Sequence, residues 1–192
     1  EFQPIYQQAK AQVKELLKGT AASHNRYLYI QRTLENLGVR FSPELVYDAT
    51  EVYWNHILTN MSLFPNVGET LKTISEAHLV TAVLSDLTAD IQIQKLSKLK
   101  INPYIDLLIT SEEANADKPD IRPFSLALEK MSLKNDEVLM VGNNPKTDIA
   151  GAKNAKIDSV LFDFYNKYPN FPEKKITHFN DVLDILGISG QA

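Results

Sequence analysis

Cysteine is absent from these 192 residues, which removes disulfides, thiolate zinc sites and cysteine nucleophiles together. Histidine is scarce. His24, His56, His78 and His178 lie far apart and show no ligand spacing, so a histidine-based metal site is not expected. No apolar run approaches the roughly 20 residues that a membrane span needs. The net charge is only −4, with no basic tract, so neither nucleic acid nor an acidic membrane surface is expected as a partner. No signal peptide is visible, and a cytoplasmic location is the expectation. Internal repeats and low-complexity segments are also missing.

What is present is an ordinary globular balance, 44% hydrophobic and 23% charged. The length suits one domain with its own core, or a core plus a small lid. The chain opens Glu1-Phe2-Gln3, without an initiator methionine, and enters a helical pattern at once. We read this as a sign of removed residues or of a fragment.

The first 60 or so residues read as helix. Ile5, Ala9, Val13, Leu16 and Leu17 recur at helical spacing, with Gly19 as a stop. Tyr27, Leu28, Ile30, Leu34 and Leu37 make a second stripe, closed by Gly38. Ser42-Pro43 opens a third helix, a cap followed by proline at the first helical position. After Pro65 short apolar runs (Leu79–Leu84, Ile105–Ile109, Val138–Val141, Ser159–Phe162) alternate with helical stretches. The helices are expected near Val67–Ala77, Thr88–Lys100, Pro123–Met131, Thr147–Ala155 and Asp181–Leu186. Phe164–Lys175 reads as one long irregular connection. Strands too apolar to alternate indicate a parallel sheet covered on both faces, hence an α/β, Rossmann-like fold. The division expected is a helical unit at 1–62 and an α/β core at 63–192.

In open parallel sheets ligands bind beyond the carboxyl ends of the strands. Three segments fall there. Ser85-Asp86-Leu87-Thr88 can hold a phosphate-like anion with a hydroxyl and helix N-terminal amides, and equally suits a helix cap. Asp117-Lys118-Pro119-Asp120 offers an ammonium that can neutralise a phosphate, or a solvated surface lysine. Val141–Asp148 turns at Gly142 and supplies oxygen side chains for a hard cation, or again a turn and cap. Each follows a different strand and all face one edge. No G-x-G-x-x-G follows any strand, which disfavours dinucleotide binding.

With these segments in order, the chain resembles the haloacid dehalogenase-like hydrolases, specifically their phosphatase-rich branch with a helical cap. Val80–Asp86 resembles the family's second motif, Thr110–Asp120 its third, and Val138–Ala152 its fourth. The resemblance covers about Phe64–Phe162, and the N-terminal helices fit the family's cap. It implies that Ser85, with amides near Asp86, binds the phosphoryl group. It implies that Lys118 stabilises the nucleophile and the transferring phosphoryl group. Asn143 and Asp148 take the positions that hold Mg²⁺, with affinity weakened because Asn143 stands where the family usually has aspartate.

The family's first motif, an aspartate pair D-x-D that supplies the nucleophile and the general acid and base, is not found in this chain. The resemblance puts it on a central strand. Neighbouring strands lie about 4.8 Å apart, so without it the flanking strands would stand about 10 Å apart and unpaired. The function expected is a Mg²⁺-dependent phosphatase of a small phosphorylated metabolite acting through an aspartyl-phosphate, the 192 residues alone being inactive. The alternative is a non-catalytic module that keeps the scaffold, which Asn143 and the missing pair would suit. The cap aromatics Tyr27, Tyr47, Tyr53 and Trp54 are expected to serve packing more than substrate contact.

Overall fold

The structure, a computed structural model, describes residues 2–188. Its N-terminal part is helical. Helices α1 (Phe2–Leu16), α2 (Arg26–Asn36) and α3 (Pro43–Asn60) pack in sequence, α1 on α2 and α2 on α3. Their buried side chains include Ala9, Val13, Tyr29, Ile30 and Val46. Two threonines are fully buried there, and each hydroxyl bonds back along its own helix: Thr33 to the Tyr29 carbonyl (2.6 Å) and Thr50 to the Val46 carbonyl (2.8 Å). The boundaries follow local chemistry. Ser42 caps α3 by accepting from Leu45 N (3.2 Å), with Pro43 at the first position. Gly38, at φ +70°, closes the end of α2 in a Schellman turn, with Val39 N–H donating to Leu34 and Gly38 N–H to Glu35.

The remainder alternates helix and strand: α4 (Val67–Glu76), β1 (Ala82–Ser85), α5 (Ala89–Leu99), β2 (Leu107–Thr110), α6 (Ser111–Ala114), α7 (Ile121–Met131), β3 (Leu139–Gly142), α8 (Ala150–Asn154), β4 (Asp158–Phe162), β5 (Lys175–Ile176) and α9 (Val182–Leu186). All observed pairings are parallel. β1 runs beside β2, with Ser85 opposite Thr110, and β3 beside β4, with Gly142 opposite Leu161. β4 in turn pairs with β5. Both faces are covered. Leu139 and Val141 pack toward Ile74 of α4 and Val182 of α9, while Val138 and Met140 pack toward Phe124 of α7 and Ala152 of α8. That two-sided burial explains why the strands read as unbroken apolar runs.

No ladder joins β1 to β3 among the described residues. Yet Leu84 of β1 packs in the same cluster as Val138 and Met140. The sheet is therefore one layer in its packing and two ladders in its hydrogen bonding.

The differences from expectation are local. β1 begins at Ala82 rather than Leu79, and β5 lies at the end of the stretch expected to be irregular. The helix expected from Thr147 is preceded by a π-type turn, Pro145–Ile149, before α8 takes over.

Candidate active site

Site geometry begins with the ends of β1 and β3. β1 delivers Ser85 and Asp86 at its carboxyl end, and β3 delivers Gly142 followed by the π-type turn. In that turn both Asp148 N–H and Ile149 N–H point at the Asn144 carbonyl (2.9 and 3.3 Å), which swings the Asp148 side chain back over Gly142. A Cβ at position 142 would collide with Asp148 Cβ, so only glycine admits this approach. Asp148 Oδ2 then accepts from Asn143 N and Asn144 N, both at 3.0 Å. Its other oxygen, Oδ1, accepts from Lys118 Nζ at 2.8 Å.

Lys118 ties three segments together. Its Nζ donates to Asp148 and to the Leu84 carbonyl (3.1 Å), and its backbone N–H donates to Asp86 Oδ1 (2.9 Å). The peptide bond to Pro119 is cis. Its side chain is 9% exposed and that of Asp148 7%, which excludes the solvated-lysine reading. An ammonium has three N–H donors, and two have protein acceptors among the described residues. The third is available to an anion.

The capping reading of the first segment also fails. The Thr88 side chain makes no cap bond to α5. The first amide of that helix, Ala89 N–H, donates to Glu112 Oε2 (2.8 Å) instead. Ser85 Oγ is held by the Gln92 amide, and Asp86 by Lys118. Burial pushes the Asp86 carboxyl above its ordinary pKa, against the opposing pull of the Lys118 charge. The third segment does carry a cap: Asn144 Oδ1 accepts from Lys146 N (2.9 Å).

The sequence reading missed a second group of residues. The short 3₁₀ segment Ala21–His24, between α1 and α2, reaches the loop of Lys118. Asp117 Oδ2 accepts from Ser23 Oγ (3.3 Å) and lies 3.2 Å from His24 Nε2, and Asp117 N–H donates to the Gly19 carbonyl (3.1 Å). Burial alone would raise the Asp117 carboxyl. The hydrogen bond and charge of His24, with the Ser111 and Ser23 hydroxyls, carry it below its ordinary value instead. Beyond His24 lies Arg26, whose Nη1 donates to the His24 carbonyl (2.6 Å). Its guanidinium stands 5.0–5.2 Å from the rings of Tyr29, Tyr53 and Trp54. Trp54 is buried against Leu87 and Ile91, joining the helical unit to α5. Tyr53 flanks it, while Tyr27 and Tyr47 stack on the surface.

The expected site residues thus separate. Lys118, Asp148, Asp86 and the Leu84 carbonyl form one bonded cluster, while the Ser85 hydroxyl, next along β1, bonds to Gln92. Asn143 joins it through its backbone N–H, with an exposed residue surface. Mg²⁺ prefers about six oxygen ligands, usually including carboxylates. Here both Asp148 oxygens have protein donors, and Asn143 offers a neutral amide. No three His, Cys, Asp or Glu side chains cluster among the described residues. These donors do not amount to a Mg²⁺ site by themselves. A cavity of about 590 Å³ lies at the opposite edge, by the amino ends of β3 and β4 at Leu139 and Asp158. It contains none of these groups.

Fold and cluster together define a class. The haloacid dehalogenase-like hydrolase model matches residues 1–162, and the chain belongs to that family. A ribulose-1,5-bisphosphate 5-phosphatase of Halopiger xanaduensis is 39% identical over 84% of this chain and 68% of its own length. A glyceraldehyde 3-phosphate phosphatase of Pyrococcus furiosus is 24% identical, over 80% of this chain and 66% of its own. The chain therefore spans about two thirds of the length of these relatives. Among solved structures, the Bacillus subtilis HAD-hydrolase YfnB superposes with a TM-score of 0.76 at 15% identity, covering 97% of this chain and 82% of that one. A HAD phosphatase of Thermococcus onnurineus gives 0.66 at 19%, covering 97% and 92%. At those identities the two structures speak for the fold.

Proposed function

We propose that this chain supplies the phosphoryl-binding and charge-neutralising part of a phosphatase site for small phosphorylated metabolites. The observation that carries the reading is Lys118: a buried ammonium fixed by Asp148 and the Leu84 carbonyl, with one N–H that has no protein acceptor among the described residues. Phosphoryl transfer is served chiefly by fixed positive charge at the transferring group. A lysine already anchored at two of its donors is preorganised for that task. The relatives named above, both phosphatases of small phosphorylated compounds, support the same substrate class.

The covalent step belongs to an aspartate on a strand lying between β1 and β3. Its support is the packing of those two strands in one layer without a ladder between them. Attack by that carboxylate on phosphorus would give an aspartyl-phosphate and expel the alcohol, and water would then release phosphate. The helical residues 1–62 act as the cap over this edge, and His24 and Ser23 hold the two parts together at Asp117. We place the protein in the cytoplasm, with no nucleic-acid partner. In the described residues no helix is long and apolar enough to cross a membrane.

The test is phosphate release by the full-length gene product from a panel of small phosphate esters, wild type against Lys118→Met. Losing the lysine should lower kcat by about 100-fold or more. Full turnover in the variant would remove the basis for this reading. A second reading, a non-catalytic module on the same scaffold, has Asn143 in its favour. It predicts phosphate-ester binding without turnover in the full-length protein.

A further inference from the structure

Outside the Lys118 cluster, two part-buried cations share one aromatic ring and have no carboxylate partner among the described residues. Arg26, at the first position of α2, and Lys95, on α5, stand 5.2 and 5.6 Å from the centre of the same Trp54 ring. Among the described residues neither has a carboxylate within 4 Å. Arg26 Nε is buried without any hydrogen-bond partner. The Lys95 ammonium is held below its ordinary pKa, first by burial and then by the Arg26 charge. Like charges brought together and partly desolvated, with no acid between them, are costly unless something anionic joins them.

Their placement is not arbitrary. Gln92 and Lys95 stand three residues apart on α5 and so share a helix face. Gln92 holds the Ser85 hydroxyl. Lys95 is therefore the next polar side chain along the face that begins at the phosphoryl-binding serine. Six residues separate it from Ala89 at the start of α5, a rise of about 9 Å. From the other side, Arg26 donates to the His24 carbonyl, and His24 contacts Asp117 next to Lys118. Both cations are thus linked to the neighbourhood of the Lys118 cluster, Arg26 through His24 and Asp117, Lys95 through the α5 face that carries Gln92.

We infer that Arg26 and Lys95 form a second anion subsite, which takes the non-reacting phosphate of a substrate carrying two phosphate groups separated by a short carbon chain. This rests on the reading of Lys118 as the first phosphate site. Arg26 would supply its guanidinium edge, stiffened by the three aromatic rings, and Lys95 a mobile ammonium. No covalent step is involved. The subsite selects and orients.

The test uses the full-length protein and non-hydrolysable probes: propane-, butane- and pentane-α,ω-bisphosphonate against the matched alkyl monophosphonates, measured by calorimetry. In the wild type the best bisphosphonate should bind at least about 10-fold more tightly than its monophosphonate, the gain expected of charge-assisted bonds. Lys95→Met and Arg26→Gln should each erase most of that advantage and leave monophosphonate affinity unchanged. Lys95→Arg should retain it. Because Arg26 also packs against three rings, Lys95→Met is the decisive variant. Equal binding of the two probe classes by wild type overturns the subsite, as does equal weakening of both by Lys95→Met. Monophosphonate binding that Lys118→Met abolishes shows that the first site stands even if the second falls. Absence of any phosphonate binding overturns both.

Discussion

The two cationic centres of this molecule are built on opposite plans. Lys118 is buried deeply and balanced by a carboxylate, which is itself held by two backbone amides. Arg26 and Lys95 are partly buried and have aromatic faces, and for Arg26 the His24 carbonyl, in place of a counter-charge. A balanced charge can be buried because its partner repays part of the desolvation. Charges left with π faces regain roughly 0.5–2 kcal/mol each. The first plan fixes a cation in the folded state, and the second leaves charge in reserve for a ligand.

The largest expected effect breaks the balanced centre. Asp148→Ala leaves Lys118 buried without a counter-charge and leaves the Asn143 and Asn144 amides without their acceptor. Removing one partner of a buried pair costs about 3–5 kcal/mol. Urea unfolding should show it as a large fall in the midpoint. Asp148→Asn keeps an acceptor for the amides and should lose less. Equal losses would mean that the amides count for nothing and the charge for everything.

Next comes the contact between the helical unit and the Lys118 loop. Asp117→Asn removes the charge that accepts from Ser23 and pairs with His24, at a cost of about 1–3 kcal/mol. The folded-state pKa of Asp117 lies below its ordinary value. Its contribution is therefore complete above the ordinary carboxylate pKa, near 4, and is lost as pH falls through the lower folded value. Wild type and variant should converge in stability at acid pH and separate above it. Parallel stability curves across that range would exclude an ionised Asp117.

How much of this was legible follows the same division. Lys118 stands before proline in a loop after a strand, and its strand context could be read locally. Asp148 could be found as the acid following a strand-end glycine. Its orientation could not, because the π-type turn that aims it arises from Asn144 accepting two amides, which no periodicity announces. The lack of ligand spacing at His24 argues only against a histidine-based metal site; its partner Asp117 lies 93 residues away, beyond any local pattern. Lys95 on an amphipathic helix looks like one more solvated lysine. Only the arrival of Trp54 from α3 changes its surroundings. The strand β5, two residues long, is too short to carry a pattern. Parallel layering was legible because it writes itself into every strand, and cross-chain pairing was not.

Lys95→Met sharpens the contrast with Lys118. Removing a cation that the fold disfavours should leave the urea midpoint within about 0.5 kcal/mol of wild type, or raise it. The sign follows from the lowered folded pKa. The penalty on protonated Lys95 is complete below that value and fades as pH rises toward the unfolded one. Any gain from the methionine should therefore be present at neutral pH and shrink in alkali. A clear loss of stability at neutral pH would show that the Trp54 contact outweighs the repulsion.

The smallest effect concerns Asp86, two residues from Leu84 and bonded to the same lysine residue as Asp148. Burial raises its folded pKa. Its contribution is therefore complete below the ordinary carboxylate value and is lost as pH rises through the folded one, the reverse of Asp117. Asp86→Asn keeps an oxygen for Lys118 N–H and discards the charge. It should leave stability unchanged at acid pH and raise it slightly at neutral pH, a midpoint shift of about 0.5 kcal/mol or less. Two carboxylates on the same loop contact should thus yield stability differences of opposite sign when each is neutralised. If Asp86→Asn instead destabilises the protein at neutral pH, the attraction between Asp86 and Lys118 exceeds the cost of burying the carboxylate. Lys118 would then answer to two acids rather than one, and its third N–H would be less free for phosphate than its geometry suggests.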